Sequence, residues 1–278
     1  FSELASVRAS LIFRNDRYVL QSTDLFSLTA SNFSDNMAGA KLEYVYDSSI
    51  PRGLNLYTGW KLKFFAEYYQ QPDEEQSDMQ VVGMDLRHSL RLHRDIILVN
   101  RLAGSTSLGQ RKILYYLGGV DNWLFAKVDD SVPIDLEQNY FYQSMGVPMR
   151  GFYYNTRNGN SFAVFNTEVR VPIIRYLVNR PIRSDFLNNL QIALFGDLGS
   201  AWTGSGPYAS DNAFNTQTIE RNPLTITIKS QREPIVGGYG FGVRTRLLGY
   251  FVRADWAWGV DDGVILPSVF YFSLNLDI

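Results

Sequence analysis

The motifs Met149-Arg150-Gly151-Phe152 and Phe195-Gly196-Asp197-Leu198-Gly199 decide how the rest of the chain is interpreted. In the first motif, an arginine and a glycine lie between large apolar residues, outside any helical pattern. In the second, Phe195, Asp197 and Gly199 have the same parity, so a strand would turn all three toward one side. The first motif therefore indicates a loop tip and the second a strand wall.

A third segment, 162–171, lies between these motifs and alternates as a strand in which Glu168 and Arg170 share a face. An arginine fork that meets a carboxylate away from water is geometrically specific. We therefore predict a buried electrostatic latch between Arg150 and acids inside a β-barrel. Spacing alone leaves open the alternative that Arg150 is an exposed loop arginine that never meets Asp197. The residues assigned to this latch are Arg150, Gly151, Phe152, Glu168, Phe195, Asp197 and Gly199.

Long alternating segments make up most of the remaining chain. Apolar and polar residues alternate over 7–14, 41–47, 60–68, 82–87 and 251–258. Period two indicates strands with one apolar and one polar face. Their length is near the ~9–11 residues of a membrane-spanning strand, and the mixed charges on the polar face suit a water-filled or loop-filled lumen. The fold class predicted is an all-β, transmembrane antiparallel β-barrel, as a single domain over residues 1–278.

Composition excludes several classes of protein. The net charge is −2 and the sequence pI about 5.8, so there is no basic field of the kind that binds nucleic acid. The chain has no cysteine, which fits passage through an oxidising compartment. It also lacks an uninterrupted apolar run of the ~18 residues that a membrane helix needs.

The connections between segments differ in length. Short turns are predicted at 14–17, around 94–95 and at 248–249, and long polar connections at 71–78, 118–148 and 204–234. Such alternation is typical of an outer-membrane barrel, here with about eleven strands. Residues 172–189 break the pattern, which indicates a helical turn or a long hairpin connection. Aromatic pairs at 68–69, 115–116, 140–142 and 153–154 suggest interfacial girdles, although aromatic residues also simply suit strands.

Two features near the C-terminus complete the pattern. Gly238, Gly240 and Gly242 share one face of a strand, which would let a loop approach closely. Gly151 in the tip motif would permit a positive φ. The last segment has an apolar face of the kind expected for a closing barrel strand, formed by Phe270, Phe272, Leu274, Leu276 and Ile278.

These motifs together resemble the BamA/TamA superfamily (bacterial surface antigen) of outer-membrane assembly factors and two-partner secretion transporters. The resemblance covers about 145–278 and is looser before that. It implies a sixteen-stranded barrel with a long loop folded into the lumen, where Arg150 would pair with Asp197 and Glu168 would be the neighbouring wall acid. The stretch 179–186 is similar to a subgroup in which a TolB-like β-propeller precedes the barrel.

The chain departs from the family pattern in several respects. Residue 149 is methionine where the family usually has valine, and the last residue is Ile278 rather than an aromatic. About eleven strands fall short of sixteen, and a POTRA-like repeat is absent from the sequence. We therefore expect the C-terminal part of a larger barrel protein, the alternative being a smaller closed barrel that shares the latch.

Catalytic and metal sites are not predicted. His88 and His93 are the two histidines, and a strand would place them on opposite faces. Asp261-Asp262-Gly263 indicates a hairpin turn rather than a calcium loop. Serines such as Ser161, Ser200 and Ser273 lack a recognisable nucleophile elbow. We expect neither enzyme activity nor a cofactor.

The function expected from the resemblance is assembly and insertion of outer-membrane proteins, or polypeptide translocation, through a gated barrel. Two alternatives remain: a passive or selective channel, and a membrane anchor for a propeller domain. The expected location is the outer membrane of a Gram-negative-type cell. The expected partners are outer-membrane lipid, periplasmic or outer-membrane proteins, and unfolded outer-membrane or secreted client polypeptides, without nucleic acid.

Overall fold

A computed structural model gives the fold of this chain. It describes residues 3–18, 33–71, 77–135, 138–178, 180, 182–210, 212, 214–221, 224–229 and 232–274. Predictions that concern Asn179, Pro181, Leu276 and Ile278 lie outside these residues. None of the helices within the described ranges is long and apolar enough to cross a membrane.

Strands dominate the described part of the chain, which confirms the all-β prediction. The two helices are short, α1 at Ile173–Leu177 and α2 at Asp185–Asn188, and they fill the predicted break in the alternation. The strands are β1 Ala5–Tyr18, β2 Phe33–Asp47, β3 Ile50–Gly53, β4 Leu56–Gln70, β5 Asp78–His93, β6 Ile96–Gly109, β7 Lys112–Leu117, β8 Tyr140–Met145, β9 Arg157–Gly159, β10 Ser161–Val171, β11 Gln191–Trp202, β12 Thr216–Arg221, β13 Leu224–Lys229, β14 Val236–Leu247, β15 Tyr250–Asp261, β16 Val264–Ile265 and β17 Val269–Leu274.

Twelve of these strands form one large antiparallel sheet, close to the eleven that the sequence predicted. Its order is β1-β2-β4-β5-β6-β10-β11-β14-β15, with β16 and β17 both paired to β15 and β3 paired to β4. Strand β1 forms one edge and β17 lies at the other. Between these two edges, no pairing occurs among the described residues.

The two faces of the large sheet differ in burial. On β11, Phe195 and Asp197 are buried, whereas Leu194 and Leu198 on the opposite parity are exposed. We call these the inner and the outer face. Exposed large apolar residues occur on the outer face of all ten long strands in the path from β1 to β17, for example Leu11, Leu42, Phe64, Val82, Leu102, Phe165, Leu194, Phe241, Trp256 and Phe270.

Charged residues on the inner face are largely paired with each other across strands. Lys41 Nζ lies 2.9 Å from a carboxylate oxygen of Glu67, and Arg101 Nη2 lies 2.7 Å from Asp85. The expected mixed-charge wall is therefore present, and its charges form ion pairs between neighbouring strands.

A single connecting segment, residues 112–159, packs against the inner face and is called the inner segment. It has its own three-stranded sheet in the order β8-β7-β9, in which β7 and β8 are parallel. Ile113, Tyr115 and Leu117 of β7 are buried in the same cluster as Phe162 of β10. The connection that the sequence described as a long polar loop is thus a folded core element.

The inner segment touches both edges of the large sheet. The Arg14 guanidinium of β1 lies 4.0 Å from the ring centre of Tyr142, and the Trp123 ring lies 4.8 Å from that of Tyr271 in β17. Nine strand spacings of about 4.8 Å would separate the edges of a flat ten-strand path by roughly 43 Å. Because one compact segment meets both edges, the sheet must curve around it.

Two sequence-based interpretations are wrong. Residues 14–17 do not form a turn, because they continue β1 and pair with 34–37 of β2 in unbroken register. Tyr115, Phe141 and Tyr154 are not girdle residues, because the inner segment carries their rings inward; Tyr115, for example, packs edge-to-face on Phe162 at 4.9 Å. Aromatic pairs at segment ends were equally compatible with an interior packing role.

The glycine face of β14 provides the close approach that the sequence predicted. A Cβ at Gly238 would lie 1.9 Å from the carbonyl oxygen of Arg150, and one at Gly242 would lie 1.8 Å from the Asp255 carboxylate. A Cβ at Gly240 would lie 2.8 Å from the ring of Phe195. The missing side chains thus make room for the tip of the inner segment and for neighbouring inner-face groups.

We predict that Gly238→Ala lowers the free energy of unfolding by about 1–3 kcal/mol, because the new methyl group overlaps the Arg150 carbonyl. The matched control is Gly237→Ala on the outer face, where a Cβ would meet its nearest atom at 3.8 Å. This control should change the free energy by less than about 0.5 kcal/mol. Denaturant unfolding of both variants measures the difference, and equal effects would contradict the close approach.

Candidate functional site

Arg150, at the tip of the inner segment, is bound by two carboxylates on neighbouring strands. Its Nε and Nη2 donate to the two oxygens of Asp197 on β11 at 2.7 Å each, and its backbone N–H donates to Asp197 Oδ2 at 3.0 Å. Its Nη1 donates to Glu168 Oε2 on β10 at 2.6 Å. The two motifs therefore meet in the fork geometry expected for a bidentate arginine–carboxylate pair.

Strand register brings the two acids together. Glu168 pairs with Phe195 across β10 and β11, and Asp197 lies two residues further along β11 on the same inner face. The separation of Arg150 from Asp197 is 47 residues along the chain, so the contact depends on the fold of the intervening strands. The latch thus ties the inner segment to the wall around it.

Glu168 is the centre of a larger buried cluster. Besides Arg150, it accepts a hydrogen bond from Arg170 Nε at 2.8 Å and from Arg244 Nη2 at 2.7 Å. All four side chains have almost no solvent exposure. A buried carboxylate needs this compensation, since an unpaired charge in the interior is strongly unfavourable. The sequence predicted Arg170 on this face but did not predict Arg244.

Burial alone would lower the pKa of the Arg150 guanidinium, because it disfavours the charged form. The carboxylates of Asp197 and Glu168 more than offset this effect, and the pKa of Arg150 is raised above its ordinary value. Arg150 is therefore a permanent cation, and its attachment to the wall does not respond to pH through its own titration.

The other predicted tip residues fix the tip in place. The Arg150 guanidinium carbon lies 3.6 Å from the ring centre of Phe195, a cation–π contact on the face away from solvent. Gly151 has φ of 100°, and a Cβ there would lie 2.6 Å from the backbone nitrogen of Gly259. Phe152 is buried, as expected of an anchor. A Cβ at Gly199 would lie 3.2 Å from the Met149 sulfur.

Tyr271 on the last strand is a tip contact that the sequence analysis missed. Its hydroxyl accepts a hydrogen bond from the Gly151 backbone N–H at 2.9 Å and donates one to the Phe152 carbonyl at 2.7 Å. It is fully buried and packs on Trp123. The alternation of residues in this strand predicted only that Tyr271 lies on its inner face. No local feature of the sequence identified its hydrogen-bond partners, which are 119 and 120 residues away.

A second buried arginine of the inner segment, Arg157, anchors its C-terminal end. Its Nη2 donates to Asp261 Oδ1 at 2.5 Å and to the Glu233 carbonyl at 2.7 Å, and its Nε donates to the Pro234 carbonyl at 3.2 Å. These partners belong to β15 and to the connection before β14. The predicted hairpin turn at 261–263 is present, so Asp261 has an anchoring role besides its place in the turn.

Other residues singled out in the sequence lie outside the latch. Within the described ranges, no cluster of three or more histidine, cysteine, aspartate or glutamate side chains could hold a metal ion. His88 stacks on Trp60 with ring centres 4.0 Å apart. Phe270, Phe272 and Leu274 lie on the outer parity of β17, as the sequence predicted for the described part of that strand.

No protein-family model matches this chain, and no curated protein matches it at a significant level.

We predict that charge reversal distinguishes direct pairing of Arg150 with Asp197 from two unrelated losses of stability. Arg150→Asp and Asp197→Arg should each lower the free energy of unfolding by about 3–5 kcal/mol, because each leaves a buried charge without its partner. The double swap should recover part of this loss, because the pair is restored while Glu168 faces a new neighbour. Denaturant unfolding measures all three variants, with exposed Arg183→Gln as the control. Additive losses in the double variant would exclude direct pairing.

We also predict that Tyr271→Phe loosens the tip without unfolding the sheet. Removing the hydroxyl leaves the Gly151 N–H and the Phe152 carbonyl without this partner, which should lower stability by about 1–3 kcal/mol. Hydrogen exchange of the Gly151 amide should accelerate in the same variant. Tyr239→Phe on the outer face is the matched control and should change neither quantity. An unchanged exchange rate in Tyr271→Phe would contradict the assigned contact.

Proposed function

We propose that this chain is the β-barrel portion of an outer-membrane protein that assembles or inserts outer-membrane proteins, or translocates polypeptides. The observation that carries the proposal is the arginine-tipped inner segment, which is held by wall carboxylates on the inner face. The resemblance of the tip and wall motifs to the BamA/TamA superfamily supports the same function. In this proposal the chain performs no covalent chemistry.

The inverted distribution of polarity supports a membrane location. Large apolar residues remain exposed on the outer face of every long strand, while arginines and acids are buried on the inner face. Exposed apolar patches of this extent are unusual for a protein in water. Lipid would cover the outer face, and the inner face would form the polar interior.

The proposal requires that the sheet edges are paired in the membrane. Strand edges that face lipid leave backbone N–H and C=O groups unsatisfied, which is prohibitive. We propose that β1 and β17 pair with further strands, as in a sixteen-stranded barrel, or with a partner protein. A propeller domain attached to such a barrel would make anchoring an additional role of the chain.

The inner segment favours gated assembly or translocation over a passive channel. It contacts both β1 and β17, and two buried arginines in its C-terminal part, Arg150 and Arg157, bind it to the wall. A passive pore would need an open path along this face. Movement of the segment, with release of Arg150 from Glu168 and Asp197, is the gating step that we propose.

We predict that a charge on the outer face disrupts insertion. Leu194→Arg, on β11, should weaken folding into lipid vesicles by about 2–4 kcal/mol near the bilayer centre. In a water-soluble protein, the same change at an exposed residue would have an effect below about 0.5 kcal/mol. Val128→Arg, in the inner segment, is the control with the same exposure, because Val128 pairs with Tyr154 of that segment and not with the large sheet. Equal folding of both variants in vesicles would exclude the membrane location.

We predict that vesicles containing the protein accelerate the folding of an unfolded outer-membrane barrel client. The measurement is the rate at which the client gains heat-modifiable electrophoretic mobility, compared with empty vesicles. Arg150→Gln should lower this rate and raise ion conductance, because the inner segment is no longer fixed. Conductance in the wild-type protein without client folding would favour the channel instead.

A further inference from the structure

Four connections lie at one end of the large sheet, which we call the short-turn end. They join β2 to β4, β5 to β6, β10 to β11 and β14 to β15. The antiparallel topology places the connections after β4, β6, β11 and β15 at the opposite end. The short-turn end includes both short helices and the turns at 94–95 and 248–249.

Two tips at the short-turn end hold unusual backbone conformations. Within the described ranges, six non-glycine residues have positive φ, and four of them are asparagine or aspartate, which tolerate this region. The two exceptions are Arg94 with φ of 49° and Leu248 with φ of 51°, both exposed. The two-residue hairpin turn at 248–249 needs positive φ at its first residue, where asparagine or glycine is usual. A leucine there is strained, and its use in place of these residues is evidence for a role of its side chain.

The same end is rich in exposed apolar side chains. Leu248 is 91% exposed, Leu177 is 70% exposed and Tyr250 is 66% exposed. Leu247 and Tyr250 lie on the outer parity of β14 and β15, as Leu90 and Leu92 do on β5. Exposed apolar residues of the outer face therefore extend to the turns after β5 and β14, although α2 covers Thr245 on the outer parity of β14.

The short-turn end is also basic, although the whole chain has a net charge of −2. Among the described residues in or next to its turns, the four acids Glu3, Asp47, Asp95 and Asp185 are outnumbered by a larger set of exposed arginines. That set is Arg52, Arg91, Arg94, Arg180, Arg183 and Arg246. The excess of positive charge is thus local to this end.

We propose that the short-turn end binds anionic phospholipids, with the arginines on the headgroup phosphates and Leu248 inserted at the acyl boundary. This inference rests on the proposed membrane location. Charge complementarity selects an anionic surface, and the exposed outer-face residues next to the turns mean that the lipid covering the strands also reaches the turns. An acidic protein would satisfy the charge but would not explain this continuity.

The test uses the absence of cysteine from the chain. The background chain is the Leu177→Cys variant, whose cysteine carries a fluorophore. It is folded into vesicles that contain spin-labelled phosphatidylglycerol or spin-labelled phosphatidylcholine. In this background chain we expect stronger fluorescence quenching by phosphatidylglycerol, the anionic lipid. Arg94→Asn should lower this preference about fivefold, the contribution of one arginine near an anionic surface. Leu248→Asn should weaken quenching by both lipids.

The fold itself should not suffer from these changes. Because asparagine tolerates the left-handed region, the midpoint of denaturant unfolding should stay the same or rise in both variants. A merely structural role would lower that midpoint instead. Asp262→Asn, at a positive-φ tip of the opposite end, is the matched control and should leave the lipid preference unchanged.

Equal quenching by the two lipids in the background chain would overturn the proposal and would favour an acidic protein partner at this end. A lower unfolding midpoint in Leu248→Asn with unchanged quenching would overturn it as well. Quenching by neither lipid, with no heat-modifiable form, would instead refute the membrane location and, with it, this proposal.

Discussion

The burial of Glu168 among three arginines is the interaction on which the rest of the structure depends. A carboxylate removed from water is tolerated only when cations surround it, and each of these cations is itself buried. Arg150 comes from the inner segment, Arg170 from the same strand as Glu168, and Arg244 from β14. The cluster therefore joins the inner segment, β10 and β14 through charges, in addition to the apolar cluster that these elements share.

This charged interior explains why the sheet buries polar residues on its inner face and exposes apolar residues on its outer face. Lysine–glutamate and arginine–aspartate pairs cover the inner face, and the inner segment closes over them with its own apolar cluster. The outer face then retains exposed leucines, phenylalanines and tryptophans that the described residues leave uncovered. The proposed membrane location would remove these side chains from water, as a dry core does in a soluble domain.

Local periodicity was enough to predict most of the long strands and the direction of their side chains, but not the continuation of β1 through 14–17 or the strands of the inner segment. Parity placed Glu168, Phe195 and Asp197 on one face, and the structure brings Arg150 to them. It could not reveal Tyr271 or the pair of Arg157 with Asp261, because these contacts join residues more than a hundred positions apart. The aromatic clusters were misread for a related reason: Tyr115 suits either a membrane boundary or an interior, and only the folded inner segment decides between them.

The contact between Tyr271 and the tip at Gly151 and Phe152 has a consequence for the order of folding. The tip is made first, but every wall residue that holds it, from Glu168 to Tyr271, is made later, and the last lies 120 residues further on. Contacts of such sequence separation form slowly, since the closing of large loops comes before any gain from the contact. The hydrogen bonds of Tyr271 to Gly151 and Phe152 can therefore form only after β17 has joined the sheet, so these two bonds report that β17 is in place.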